Sequence, residues 1–478
     1  MKKLYALILA AALIAAAGCQ KDDPGDKTPE EYDRLVTYQF DSAFAKVLQE
    51  RGYIADAGQI FLNEIRQITE LDVSGRNVGF LTSLRGIELF ESLTVLDCSH
   101  NMLTDLDVSK NTQLLKLRCT ENKLTELDVS KNTQLTLLDC SNNSLTKLDV
   151  SQNKALTVLG CHSNDLETID VSANTALTEL NCAVNPLTSL DLIQNKALTI
   201  LSCAWCCFMP DLSQNTELVY LNVNGSYLTE VDVSCLPKLE TLDVSGNQLK
   251  TLDVRSNRNL KYLYCQSNQL TDLDVTAQRD LVLLYCDSNQ LEQLDLHEKA
   301  ALTYLKCNYN RLTALDLNDC PAMETLDCSY NLLTELQIDN CTALVTLDCY
   351  SNQLTDLNIS GRPHLTDVNC EGNVLERLDA SQCPELETLR CWVNQLRELN
   401  ISGCTGLTSL YCSQNMLTEL DISDCMQLVM LMCSGNPGDG ALFPIYAWFD
   451  NDSIPSGLNI SDWLFEGQLI TVDYRKKG

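Results

Sequence analysis

LTVLDCSHNMLTDLDVSKNTQ (residues 93–113) runs without a gap into LLKLRCTENKLTELDVSKNTQ (114–134) and LTLLDCSNNSLTKLDVSQNKA (135–155), so one 21-residue unit is written three times over. Cysteine recurs at Cys98, Cys119, Cys140, Cys161, Cys182 and Cys203 and again every 21 residues from Cys265 to Cys433. Val223 and Val244 bridge the two runs, across one shortened copy. Asparagine follows three residues after, at Asn101, Asn122, Asn143, Asn164 and Asn185 and from Asn247 to Asn436, with leucine two further on. The unit is L-x-x-L-x-C-x-x-N-x-L-x-x-L-D-V-S-x-N-x-x. A fixed period of this length signals a solenoid, because one copy cannot bury its apolar edge without a neighbour.

Within LDCS, alternation puts Leu96 and Cys98 on one side of a strand and Asp97 and Ser99 on the other. Coils stacked at the strand spacing of about 4.8 Å make a long parallel sheet, a rod of roughly 80 Å for seventeen copies. A column of thiols suits a narrow interior, where cysteine acts as a small apolar filler. Disulfides want Cβ atoms about 3.8 Å apart, closer than in-register stacking allows, so the ladder is expected to be reduced even in an exported protein.

L-x-x-L-x-[L/C]-x-x-N-x-L over residues 68–436 resembles the leucine-rich repeat. The cysteine, the 21-residue length and the trailing L-D-V-S are similar to the cysteine-ladder subgroup of internalin J-like proteins and Bacteroidetes surface lipoproteins. The resemblance implies a solenoid with its parallel sheet on the concave face, short irregular or extended segments on the convex face, a small helical N-terminal cap and an aromatic C-terminal cap. It also implies adhesion or recognition of host or neighbouring-cell protein. LTSLRGIELF, residues 81–90, resembles the segment that opens such arrays. RGYIADAGQ, residues 51–59, lacks the calcium loop that related proteins carry, so no calcium site is expected.

The flanks differ in composition. MKKLYALILAAALIAAAGCQ has a basic start, an apolar run and small residues before Cys19, which reads as a lipoprotein signal over residues 1–18 with Cys19 as the lipidated residue. Residues 19–31 are polar and Pro/Gly-containing, a flexible tether. Lys21-Asp22-Asp23 is similar to the signal that sends Bacteroidetes lipoproteins outward, so the expected location is the outer membrane, lipid-anchored and facing the cell exterior. Residues 32–67 read as a helical cap. Asp41 caps a helix through SAFAKVLQER that Gly52 stops, and Asp56 starts another through GQIFLNEIRQ. Residues 437–478 drop the period and gain aromatics, a second cap in which GQLITVDY reads as an edge strand.

Charge excludes some partners. The 478 residues carry a formal charge of −31, and −33 once residues 1–18 with Lys2 and Lys3 are removed. Nucleic acid and anionic membrane surfaces need basic patches, so the first is not expected as a partner and the membrane is met only through the lipid anchor. A monomer is expected.

Function is sought in the four outward columns: the residue before the second leucine, the one before the cysteine and the two after it. Nine of the ten tyrosines between residues 93 and 436 fall there: Tyr220, Tyr262, Tyr264, Tyr285, Tyr304, Tyr309, Tyr330, Tyr350 and Tyr411. Four columns of 21 would collect about two by chance. Trp392 and Trp205 join them, and Lys306, Arg390, Asp348 and Asn369 lie among them. Exposed aromatics suit protein partners and sugar rings alike, whereas cross-strand packing alone would not leave the earlier copies with Asp97, Arg118, Asp139 and Gly160. Protein binding is the leading reading, glycan binding its competitor, and a structural spacer of the cell envelope the third.

Other columns read as structural. Aspartates of L-D-V-S, from Asp107 to Asp316, recur on the opposite face and are expected to satisfy turn backbone and not to hold cations. Cys320, Cys341, Cys383, Cys404 and Cys425, with Cys235, replace the asparagines at Asn111, Asn132, Asn153 and Asn174 and read as a packed inner turn. In CAWCCF, residues 203–208, Cys206 stands where asparagine normally does and Cys207 follows it, a local irregularity with too few ligands for a metal. His100, His162, His297 and His364 form no catalytic set, and no nucleophile or phosphate motif occurs, so neither an enzyme nor a cofactor is expected.

Overall fold

The computed structural model describes residues 34–75 and 80–477. The export segment 1–18, Cys19 and the tether lie outside the described residues. Each copy of the unit supplies a three-residue strand, and eighteen of these, from Glu70–Asp72 to Met430–Met432, pair in parallel into one sheet. Register follows the period: Leu71 faces Leu96, Leu96 faces Leu117 and Leu117 faces Leu138. At the shortened copy Leu201 meets Leu221, and the inward leucine column continues unbroken. The fold is a leucine-rich-repeat solenoid.

One coil shows why the unit closes. Leu93, Leu96, Cys98, Leu103, Val108 and Leu114 are all at 0% exposure, Leu96 on the strand Val95–Asp97, Leu93 and Cys98 flanking it, and the others around the turn and back wall as far as the next copy. Full burial of each such leucine contributes on the order of 2 kcal/mol, and the neighbouring coils supply both walls. Cysteine is the narrow member of the set. Its thiol also finds a weak acceptor in the next coil, Cys98 Sγ donating to the Arg118 carbonyl and Cys140 Sγ to that of Gly160, both at 3.5 Å. Among the described residues the cysteines are free thiols. Burial pushes the ladder thiols far up, to about 12 at Cys161 and Cys370.

Two polar columns tie coil to coil. In the first, Asn122 Nδ2 donates to the carbonyls of Cys98 and Cys119, while its Oδ1 accepts from Leu103 N–H. Cys206 takes this place in the shortened copy, and its thiol donates to the Cys182 carbonyl at 3.5 Å. In the second, Asn132 Nδ2 donates to Val108 and Asn111 carbonyls, but its Oδ1 has no partner, nor do those of Asn111, Asn153, Asn174 and Asn195. This position asks for no acceptor, so thiols of Cys341, Cys383 and Cys404 and the Arg362 guanidinium donate across it, while the Lys299 ammonium turns to the His297 carbonyl of its own coil. After Asn215 the column is held by the buried Leu236 and not by Cys235, which lies one residue earlier and donates to the Leu212 carbonyl from there. Where asparagine must also accept it is kept in every copy from Asn101 to Asn436 but two, Cys206 and Ser226 standing in for it there.

The caps depart from expectation in two places. Asp41 caps the helix Ser42–Glu50, accepting from Ala43 and Phe44 N–H, and Phe44, Val47 and Leu48 bury against Phe40 and Phe90. Asp56, however, starts no helix. It accepts from Gly58 N–H in a turn, and residues 59–61 are drawn into an antiparallel bridge in which Leu35 faces Phe61. The second helix therefore begins only at Leu62 and ends at Arg66. At the other end, Gln468–Lys476 is not an edge strand. It lies between Leu442–Ala447, its parallel partner, and Trp463–Phe465, its antiparallel one, because the tight turn at Glu466–Gly467 folds the chain back across its outer side. Phe443, Phe449, Trp463 and Tyr474 are buried there, with the Trp463 indole donating to the Asn436 carbonyl.

Candidate functional site

The strand alternation turns four side chains of each coil away from the leucine core, although the small residue after the cysteine is itself buried at Ser99, Ser141, Ala183, Ala204, Ser329 and Ser413. Two stand on the strand itself, flanking the buried leucine, and two follow the cysteine on the turn out of the sheet. The last of these has a left-handed backbone in coil after coil, at His100, Asn142, Ser163, Tyr309 and Tyr330 among others. Glycine takes it at Gly225, Gly246, Gly372 and Gly435. L-residues accept this conformation at a cost of about 1 kcal/mol, and the asparagine ladder beside it holds the turn in place.

On the strand columns, register brings one aromatic group together. Tyr262 faces Leu283, which faces Tyr304; Tyr264 faces Tyr285, which faces Lys306. The Tyr264 and Tyr285 rings meet edge to face at 5.4 Å, and Lys306 Nζ lies 5.1 Å from the Tyr285 centroid. A hydrogen bond to the Glu324 carboxylate holds the Tyr304 phenol above its ordinary range, while 40% of the residue stays exposed.

On the turn columns a second group forms. Tyr309 and Tyr330 stack at 4.3 Å with 12° between planes, and Tyr350 meets Tyr330 edge to face at 4.8 Å. Tyr309 is 52% exposed. Trp392 stands two coils beyond Tyr350 in the same column, half-buried, with Glu371 between. Stacking of this kind stabilises a sheet as well as presenting a surface. The exposure left on Tyr304 and Tyr309 shows that packing has not consumed the rings.

Three of the singled-out aromatics stand apart. Tyr220 is separated from Tyr262 by Thr241. Tyr411 lies beneath the Arg390 guanidinium at 5.8 Å, and Arg390 in turn pairs with Asp367 at 3.0 Å. Trp205 packs its ring against Gly225, whose Cα has no room for a side chain on that side.

Carboxylates line the same strip, and of these only Asp348 was marked by its sequence position. Asp287, Asp327 and Glu371 occupy outward columns too, but acids are too common in the chain for the columns to set them apart. Asp327 accepts from Ser329 N–H and hydroxyl. Asp348 accepts from Tyr350 N–H at 3.0 Å and Asn369 Nδ2 at 3.4 Å, yet burial still holds it above the usual carboxylate range. Burial raises Asp287 and Glu371 in the same way.

The opposite face behaves as turn structure. Asp107, Asp128, Asp149 and Asp170 each accept from the N–H two residues on. Among the described residues no group of three or more His, Cys, Asp or Glu is placed to hold a metal, and no helix is long and apolar enough to cross a membrane.

Comparison with solved structures places this geometry among known solenoids. The functional domain of InlJ from Listeria monocytogenes, which includes a cysteine ladder, is 35% identical, with a TM-score of 0.56 over 71% of this chain and 71% of that one. YopM from Yersinia enterocolitica is 25% identical, with a TM-score of 0.62 over 87% of this chain and 93% of that one. The Arabidopsis receptor kinase HAESA, solved with the peptide hormone IDA and the co-receptor SERK1, is 18% identical and shares the fold at a TM-score of 0.57 over 87% and 79% of the two chains. No protein-family model and no curated protein sequence matches the chain. Solenoids of this fold are typically non-enzymatic scaffolds for protein interaction.

Proposed function

The chain belongs to the internalin-like leucine-rich-repeat proteins with a cysteine ladder, and on that premise we propose that it is a cell-surface lipoprotein that binds a protein partner through its aromatic strand face, in adhesion or recognition. The observation that carries this reading is the run of rings from Tyr262 to Tyr350, which remain partly exposed although Tyr264 packs on Tyr285 and Tyr330 on Tyr309 and Tyr350. Rigid amphipathic rings give contact area at little entropic cost. Anchoring at Cys19 to the outer membrane, facing the exterior, rests on the export segment and on Lys21-Asp22-Asp23. The chain is proposed to act without enzymatic chemistry of its own.

Parallel screens of the full chain against extracellular proteins and against a glycan array test this. A protein ligand lost when Tyr262, Tyr264, Tyr285 and Tyr304 are replaced by alanine supports the proposal. A glycan ligand lost in the same way would transfer the face to sugar recognition, and ligands indifferent to all four changes would leave the aromatic face without a role.

A further inference from the structure

The strip is uneven in charge. From Tyr262 to Tyr411 its outward columns hold two basic residues, Lys306 and Arg390, each resting over a tyrosine ring, on Tyr285 and Tyr411. The three coils between them, whose cysteines are Cys328, Cys349 and Cys370, carry no basic residue in any outward column. They carry Asp327, Asp348, Asp367 and Glu371, of which Asp367 is paired with Arg390. Asp327 and Asp348 are met only by neutral donors, a serine hydroxyl, backbone N–H groups and an asparagine amide. Beside them run the rings of Tyr309, Tyr330 and Tyr350. Aromatic faces and carboxylates together form the chemistry that takes a guanidinium or ammonium, and the chain already uses it for its own Lys306 and Arg390. A formal charge of −31 draws a cationic partner toward the molecule from a distance.

Resting on the aromatic-face reading above, we propose that this stretch receives a cationic protein segment, an extended run carrying two or three Lys or Arg side chains between the Tyr309–Tyr330–Tyr350 rings and the carboxylates of Asp327, Asp348 and Glu371. Three coils rise about 10 Å, the length of three or four extended residues. The run is therefore short.

Calorimetric titration of the full chain with a ten-residue oligo-arginine peptide, against Gly-Ser and oligo-glutamate peptides of the same length, tests the proposal. Oligo-arginine alone is expected to bind, more weakly at 300 mM than at 50 mM salt (roughly these values) as screening requires. D327N/D348N/E371Q is expected to weaken it at least tenfold, roughly, whereas D107N/D128N/D149N, with the same loss of charge on the opposite face, leaves it within about twofold. Y309N/Y330N/Y350S uses residues that already occupy these columns at Asn142 and Ser141, so the fold is kept while the rings go, and it too is expected to lose binding. Absence of oligo-arginine binding, or equal loss in both charge variants, would overturn the cationic assignment. If ligands from the protein screen are neutral or acidic yet still lost on replacing Tyr262, Tyr264, Tyr285 and Tyr304, the aromatic face stands and only the cationic segment falls.

Discussion

Asn122 reaches into the coil before its own, its Nδ2 donating to the Cys98 carbonyl at 3.0 Å. The same side chain also accepts from Leu103 N–H and donates to the Cys119 carbonyl, so it answers one donor and acceptors in two coils. Asn143 repeats these bonds with Cys119 and Leu124, while Asn153 in the other column only donates. Asn143→Cys is expected to cost about 2–4 kcal/mol, because a thiol donates weakly and leaves Leu124 N–H buried and unbonded. Asn153→Cys is expected to cost less than about 1.5 kcal/mol, as cysteine already fills that column later in the chain. Urea unfolding of the two variants checks the order, and equal losses would refute the distinction between the columns.

Gly225 has φ +61°, and a Cβ there would stand 2.5 Å from the Trp205 ring. Gly225→Ala is expected to destabilise by about 2 kcal/mol or more, from left-handed strain together with the clash. Trp205→Ala in the same chain removes the clash and leaves the strain. A double-mutant cycle followed by thermal unfolding should therefore show coupling of about 1 kcal/mol or more, and strict additivity would mean that the ring does not rest on the glycine.

Burial without a counter-charge keeps the ladder thiols protonated. Cys207 is exposed and Cys235 only half-buried. A thiol-reactive probe at neutral pH is expected to modify Cys207 first and Cys235 next, and the ladder from Cys98 to Cys433 only after denaturation. Mass mapping of the labelled sites reads this directly. Rapid labelling of Cys140 or Cys286 in the native chain would contradict in-register stacking.

Acid should act through the back-face aspartates. Hydrogen bonds from Ser109, Ser130 and Ser172 hold Asp107, Asp128 and Asp170 below the ordinary 3.8. A folded value below the unfolded one gives stability that is complete above the unfolded value and lost as pH falls through the folded one. Asp287 and Asp348 have the opposite sign: raised by burial, they destabilise while ionised, and that penalty is relieved as pH falls through their folded values. The melting temperature is expected to hold or rise slightly on going from neutral pH to about 5 and to fall below about 4. Asp348→Asn should reduce any rise without altering the fall.

Much of this architecture was legible because each residue's place in the period fixes whether it faces inward. Leu96 and Cys98 point into the core and Tyr264 and Tyr285 out of it, as alternation requires. What stayed hidden depends on who answers each hydrogen bond. Nothing in the spacing of Asn122 and Asn132 says that one accepts and the other does not, and Lys299 and Arg362 look like surface residues until the turn that asks for no acceptor is seen. Asp56 carries a capping residue's chemistry, but pairing of its neighbours with the chain near Leu35 takes precedence over local helix propensity. Trp205 counts among exposed aromatics by column, while its ring already has a partner in Gly225. The carboxylates at Asp287, Asp327 and Glu371 occupy the same columns, but acids are too common throughout the chain for their place in the period to set them apart.

Tyrosine iodination of the full chain, with and without the protein ligand selected in the screen and read by peptide mass spectrometry, tests the central claim most directly. Tyr227 is 63% exposed and outside the outward columns, so it serves as the internal reference. Binding through the strand face predicts strong protection of Tyr304, Tyr309 and Tyr330, with Tyr227 modified as before. Unchanged modification of those three residues in the saturated complex would contradict it.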